Sequence, residues 1–136
     1  MSARHKARKR ALDFLFEADL RSSDPTQIFT DRELPVIAEA EYAKAVVEGV
    51  QSHKAKIDEL IISYAEGWDL DRMPVVDRNI LRVAIFELLW SSQVPEDVAI
   101  SEALLLSDEN STEDSTKYIN GVLSRIRSLK SSLNIN

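Results

Sequence analysis

The sequence predicts an all-α protein, and three observations carry that prediction. The 136 residues include only 3 Gly and 4 Pro, and alternating runs of β-branched residues are few. The stretch VVDRNILRVAIFELLW, residues 75–90, has apolar side chains on nearly every side of a helix. Other helices must surround such a helix, because its exposed surface would promote aggregation. We expect one compact domain, residues 1–136, with about six to seven helices packed around this central helix.

Hydrophobic periodicity predicts the remaining helices. They fall at residues 3–21, 36–49 and 52–66, from Pro95 onward, and at residues 116–129. Residues 26–35 are ambiguous and favour at most one short helical turn. Glycine commonly ends helices, so Gly49 is predicted to stop the second one. Ser115 is predicted to cap the last helix. Gly121 inside that helix costs about 1 kcal/mol relative to alanine, which predicts close approach of another element.

The central helix carries four charged residues: Asp77, Arg78, Arg82 and Glu87. Each is either partly buried and paired or exposed at a gap between the surrounding helices. Buried charges are rarely left unpaired. Pairing is therefore the favoured interpretation for Arg82 and Glu87.

The net charge of −6 conceals two basic ends. Residues 1–10 contain five basic side chains and no acid, and residues 115–136 contain four basic side chains and no acid. All 23 acidic residues lie between these two segments. A polyanion would be attracted to the ends and repelled by the middle of the chain.

Signatures of enzymes and metal sites are absent from the sequence. There is no Gly-rich phosphate loop, no HExxH or GxSxG motif, and no cysteine. His5 and His53 are far apart and lack the ligand count of a metal site. No segment has the length of a membrane span, and no apolar region of a signal peptide follows the basic start. We expect a cytoplasmic protein that is not an enzyme and uses no cofactor or metal.

Phe16 projects from the first helix on the side opposite its predicted core stripe, beside His5, Lys9 and Leu12. Cations neutralise phosphates and an exposed ring stacks on an unpaired base, so this face is typical of single-stranded nucleic-acid binding. The alternative is that a second layer of helices covers Phe16. Tyr118 repeats the pattern at the edge of the last helix, near Lys117.

Three stretches, VDRNILRVAIFELL (76–89), VPEDVAISEA (94–103) and EDSTKYINGVLSRI (113–126), strongly resemble the NusB family of transcription antitermination factors. The opening ARHKARKRALDFLFEADL looks like the family's Arg-rich first helix, whereas residues 22–42 match least. The resemblance implies two small helical bundles and no enzymatic activity. It also implies binding, together with the ribosomal protein NusE, to single-stranded boxA RNA of ribosomal RNA leaders, which helps RNA polymerase read through terminators. The sequence leaves open whether the protein is a monomer or a homodimer.

Carried over by position, the family's RNA surface falls on Arg4, Lys6, Arg8, Phe16, Lys117 and Tyr118. Lys9 joins this set through its place beside Phe16. The resemblance assigns Asp77 and Asp114 to the surface that faces NusE, so Asp77 is expected to be exposed.

The chain departs from the family pattern in LLLSDEN, where Leu105 replaces an acid, Asp108 a lysine and Asn110 an apolar residue. Asp108 would weaken RNA binding if it lies near the RNA, and Leu105 is expected to be exposed. Two alternative functions are a helical adaptor in ribosome assembly and a stand-alone relative of the NusB-like domain of ribosomal RNA cytosine methyltransferases. The sequence shows no cofactor-binding domain, so we expect no methyltransferase activity.

Overall fold

The computed structural model describes residues 2–31, 38–133 and 135 of the chain. In these residues it shows six α-helices, two short 3-10 helices and no strand. The α-helices are α1 (Ala3–Arg21), α2 (Pro25–Asp31), α3 (Ala38–Tyr64), α4 (Val75–Trp90), α5 (Glu96–Asn110) and α6 (Glu113–Leu129). None of the described helices combines the length and the apolar character that crossing a membrane requires.

Helix α4 is the centre of the fold, as its sequence predicts. It contacts α1, α3, α5 and α6, and Ile80, Leu81 and Ile85 are fully buried among them. A helix with apolar side chains on nearly every side is stable in water only when it is surrounded in this way.

The apolar side chains form two clusters that share α4. One joins α1 to the first half of α3 and includes Val83 of α4. The other joins the second half of α3 to α4, α5 and α6. Tyr42 and Phe86 pack against both clusters. Two small helical bundles around a shared central helix are therefore confirmed.

The prediction of separate helices at 36–49 and 52–66 is wrong, because α3 runs without a break from Ala38 to Tyr64. The predicted start at Val36 lies outside the described residues. Gly49 does not end a helix but packs against the ring of Phe86. A Cβ atom added to Gly49 would lie 2.2 Å from two carbons of that ring. Glycine is used here for close packing between helices and not for a left-handed turn.

The ends of the other helices follow local rules. Helix α1 has the predicted bounds, and Ser22, the residue that follows it, is left-handed with φ 52°. Part of the ambiguous stretch is α2, and residues 32–35 lie outside the described part. Thr112, and not Ser115, caps α6: its hydroxyl accepts a hydrogen bond from the Ser115 N–H at 3.0 Å.

The two glycines inside helices offer a matched test of packing. Nothing lies within 4 Å of a Cβ added to Gly121, so the predicted close approach there is wrong. Gly121→Ala should stabilise the protein by about 0.5–1 kcal/mol through helix propensity. Gly49→Ala should destabilise it by about 1–3 kcal/mol, because the methyl group meets Phe86. Urea unfolding of both variants measures the difference, and equal stabilities would show that Phe86 moves aside without cost.

Candidate nucleic-acid interface

The cations at the start of α1 divide into an outward and an inward set. The Ser2 hydroxyl caps the helix by accepting from the His5 N–H at 3.0 Å. Arg4 and Lys6 are exposed. Lys9 is partly exposed and pairs with Asp13 one turn later. The predicted cluster of surface cations is therefore smaller than the sequence suggests.

Arg8 lies inside the protein, which corrects its expected place on the surface. Its side chain is 3% exposed. The Nε atom donates to the two carboxylate oxygens of Glu87 at 2.8 and 3.0 Å, and a terminal nitrogen donates to Glu102 at 3.2 Å. Burial opposes the charged form, but the hydrogen bond and charge of Glu87 raise the pKa of Arg8 above its ordinary value.

The favoured interpretation of Glu87 and Arg82 as paired charges is confirmed. Glu87 accepts from Arg8 and from the Tyr42 hydroxyl. Burial, together with that hydrogen bond, raises the pKa of Tyr42 to about 12. Arg82 donates to Asp19 and Asp58 at 2.8–3.1 Å.

The Asp19 carboxylate accepts hydrogen bonds from three residues of α4: Arg78, Asn79 and Arg82. Burial works to raise its pKa, but hydrogen bonds from Arg78 and Asn79 and the nearby positive charges lower it to about 2. The end of α1 is thus tied to α4 by a carboxylate that stays ionised.

His5 is also turned inward, contrary to its predicted place on the outer face of α1. It is 2% exposed, and its ring nitrogens lie 2.8 Å from Glu102 and 2.7 Å from Glu109. These two acids are seven residues apart and share one face of α5. Leu12, predicted beside His5, belongs to the apolar core. The outer face of α1 therefore keeps Lys9 and Phe16 but not His5 or Leu12.

Phe16 is partly exposed. Among the described residues, it is not one of the partly buried side chains that pack against the two apolar clusters. Phe16 is thus not fully covered, and its stacking role stays a prediction.

A groove of about 720 Å³ lies at the start of α6. It is lined by Gly67, Trp68, Pro74, Asn110, Ser111, Thr112, Asp114, Ser115 and Tyr118. Tyr118 is partly exposed. Its ring meets Trp68 edge-on at 4.7 Å between centroids, and its hydroxyl donates to the Glu66 carbonyl oxygen at 3.2 Å. Lys117 is exposed next to Tyr118 in the chain.

Trp68 is a groove residue that sequence reasoning did not identify as part of the site. It does pack against the larger apolar cluster, but it also forms part of the groove. The available sequence signal was its position directly after Gly67, because glycine commonly ends a helix in a turn. In the structure Gly67 has a φ of +78°, as such a turn requires.

Asp77 is buried, so its expected exposure is wrong. It is 0% exposed. The Ser111 hydroxyl donates to one carboxylate oxygen at 2.6 Å, and the Ser115 hydroxyl donates to the other at 2.7 Å. Hydrogen bonds to both oxygens make burial of the charge tolerable. Asp114, the second acid of the expected partner surface, is exposed at the groove.

The three departures from the family pattern fall on the outer side and end of α5. Leu105 is 41% exposed, which confirms its expected exposure. Asp108 accepts from the Thr116 hydroxyl at 3.1 Å, and Asn110 donates to the Leu106 carbonyl oxygen at 2.8 Å. The side chains of Asp108 and Asn110 thus both have hydrogen-bond partners within the protein.

The end of α5 connects the two basic regions of the sequence. His5 of α1 contacts Glu109, and two residues later Ser111 contacts Asp77 beneath the groove. The start of α1 and the start of α6 therefore both adjoin the end of α5. Exposed cations stand at each of them, and Tyr118 is partly exposed at the start of α6, whereas the partly exposed Phe16 lies in the second half of α1.

Fold and site together define a small two-bundle helical protein with cationic and aromatic surfaces suited to single-stranded RNA. The NusB family model matches residues 5–128, and the chain belongs to the NusB family.

Similar proteins agree with this membership. The transcription antitermination protein NusB of Acidothermus cellulolyticus is 53% identical, over 93% of this chain and 88% of the relative. That of Kineococcus radiotolerans is 50% identical, over 98% of each. The solved T. maritima NusB has a TM-score of 0.83 and 35% identity, covering 96% of this chain and 97% of that one. A structure of NusB and NusE in complex with dsRNA has a TM-score of 0.81 and 28% identity, covering 94% of this chain and 98% of that one.

Arg8 and Lys6 allow the inward and outward cations to be compared. Arg8→Ala should destabilise the protein by about 3–5 kcal/mol, because it leaves a buried carboxylate without its cation. Lys6→Ala should leave the free energy of unfolding nearly unchanged, since exposed charges contribute little. Denaturant melts of both variants give the comparison. A loss for Arg8→Ala no larger than that for Lys6→Ala would contradict the structural role of the pair.

Proposed function

We propose that this protein is a transcription antitermination factor that binds single-stranded boxA RNA of ribosomal RNA leaders together with NusE. In this role it joins the antitermination complex of RNA polymerase and supports reading through terminators. One observation carries the proposal. In a NusB-family fold, α1 and α6 each carry exposed cations and a partly exposed ring, and the end of α5 adjoins the start of both helices.

The chemistry of these surfaces suits an unpaired strand. Arg4, Lys6, Lys9 and Lys117 supply positive charge for phosphates, and Phe16 and Tyr118 supply rings for bases. Stacking requires bases that are free of a duplex. Acids that lie away from these surfaces repel RNA and so limit where the strand binds. Arg8 supports this surface from inside through Glu87.

The contact with NusE is proposed at the exposed side of the groove, where Asp114 offers a carboxylate. Support comes from the structural similarity to a NusB that was solved with NusE and dsRNA. Exposed charges at such a rim steer association and select partners more than they add affinity.

We further propose that the protein acts in the cytoplasm, without catalysis and without a cofactor, and that residues 1–136 work as one domain. A helical adaptor in ribosome assembly remains the competing function. It differs in one measurable respect, which is that it does not need selectivity for boxA.

The proposal is tested by titrating a boxA single strand and a scrambled strand with the protein, with and without purified NusE. We expect preference for boxA and a further gain in affinity with NusE. Equal binding of both strands, unaffected by NusE, would contradict the antitermination role and favour the adaptor.

The α1 cations can be tested through the salt dependence of RNA binding. The double variant Arg4→Gln/Lys6→Gln should weaken binding of both strands and reduce the slope of log affinity against log salt by about 1.4, from about 0.7 for each lost contact with single-stranded RNA. The matched control Lys44→Gln/Lys54→Gln removes two exposed charges from α3. Identical slopes for the two double variants would exclude Arg4 and Lys6 from the RNA surface.

Two phenylalanines of α1 separate stacking from core packing. Phe16→Ala should lower RNA affinity about ten- to hundredfold, the range for loss of one stacked base. Phe14, which is buried in the smaller apolar cluster, is the control. Phe14→Ala should instead lower stability by about 3–5 kcal/mol.

Both phenylalanine variants require a melt and an RNA titration on the same sample. If Phe16→Ala loses stability as Phe14→Ala does and keeps its affinity in the folded fraction, Phe16 has no stacking role.

A further inference from the structure

Asp77 is an unusual buried charge. Both of its carboxylate oxygens are hydrogen-bonded, yet among the described residues its partners there are the hydroxyls of Ser111 and Ser115 and no cation. The other buried or half-buried acids of this region, Glu87 and Asp19, are each paired with an arginine. A buried carboxylate is costly to keep. The role of Asp77 therefore lies in the two residues that its hydrogen bonds hold in place.

The two hydrogen bonds fix the junction between α5 and α6. Ser111 is the residue that ends α5, and Ser115 lies in the first turn of α6. Thr112 holds Ser115 in turn, because the Thr112 hydroxyl donates to the Ser115 hydroxyl at 2.9 Å and accepts from the Ser115 N–H. A chain of hydrogen bonds thus runs from the α6 cap through Ser115 to Asp77 in the first turn of α4.

The groove is built on this junction. Its lining includes Pro74, three residues before Asp77, together with residues 110–112, Asp114, Ser115 and Tyr118. Tyr118 lies three residues after Ser115, so the two side chains are neighbours on one face of α6. A shift of Ser115 away from Asp77 would therefore move Tyr118 relative to Trp68 and change the shape of the groove.

We propose that Asp77 is a positioning residue, which holds the first turn of α6 so that Tyr118, Lys117 and Asp114 present one surface to RNA and partner. This inference rests on the proposed function for that surface. This positioning role differs from a direct contact between Asp77 and a partner, because the Asp77 carboxylate is buried and both of its oxygens accept hydrogen bonds within the protein.

Replacement of Asp77 by asparagine separates the charge of the carboxylate from its hydrogen bonds. In Asp77→Asn the side-chain carbonyl accepts from one serine, and the amide donates to the other, whose hydroxyl turns to accept. The charge is lost, but the two hydrogen bonds remain. In Asp77→Ala both are lost. Ser115→Ala breaks the same chain from the other side and keeps the carboxylate. Asp97→Ala, at an exposed aspartate of α5, is the control for removing a charge.

Two measurements are made on the full chain with each variant: amide hydrogen exchange of residues 111–118, and binding of a boxA single strand with purified NusE. Asp77→Ala and Ser115→Ala should each speed exchange in this segment about tenfold and weaken binding about tenfold. Asp77→Asn should restore both values to within about threefold of the original protein. Asp97→Ala should change neither.

Two results would overturn the proposal. If Asp77→Asn and Asp77→Ala lose binding equally while exchange stays unchanged, the charge itself contacts the partner. If Ser115→Ala alters neither exchange nor binding, the junction does not depend on the Asp77 hydrogen bonds. Ser115→Ala also gives the answer if Asp77→Ala does not fold.

The proposed function can fail separately from this inference. If the original protein binds neither boxA RNA nor NusE, the function is wrong. Exchange of residues 111–118 still reports whether Asp77 positions the start of α6.

Discussion

Glu87 lies on the central helix, inside the protein, where an ionised carboxylate is tolerated only with hydrogen bonds and a compensating charge. Arg8 of α1 and Tyr42 of α3 supply them. Arg8 reaches further to Glu102 of α5, which also contacts His5. One charged network therefore sets the positions of α1, α3 and α5 around α4. Displacing α1 would leave the buried charge of Glu87 without its cation, and displacing α3 would remove the hydrogen bond from Tyr42.

This constraint also shapes the functional surface. Because α1 turns about 100° per residue, inward His5 and Arg8 alternate with outward Arg4 and Lys6 along the same short segment. The inward residues fix the helix, and the outward ones meet solvent. A rigid support for exposed cations and rings lowers the entropy lost when a flexible RNA strand binds.

Sequence reasoning found the features that are encoded locally. The bounds of α1 and α4, the central place of α4 and the pairing of Arg82 and Glu87 follow from apolar periodicity and from the cost of buried charge. It failed where a residue's role depends on a distant element. Gly49 resembles a helix stop in sequence, and only the ring of Phe86 explains it.

In the candidate site, too, sequence reasoning found locally encoded features and missed those that depend on a distant element. The exposure of Lys6, Lys117 and Asp114 follows from charge alone. Helical position could not show that Arg8 meets Glu87, 79 residues away, or that Asp77 meets Ser111, 34 residues away. The family resemblance assigned Asp77 to a surface, but its enclosure depends on two serines of this chain.

The continuous course of α3 has a mechanical consequence. A helix of 27 residues is about 40 Å long at 1.5 Å per residue. Its first half belongs to one apolar cluster and its second half to the other. Where the two clusters meet, the Phe86 ring lies directly against the Gly49 backbone, which makes this crossing point closely packed. Because one continuous helix belongs to both bundles, we expect loosening of one bundle to loosen the other, so that the two unfold as one cooperative unit.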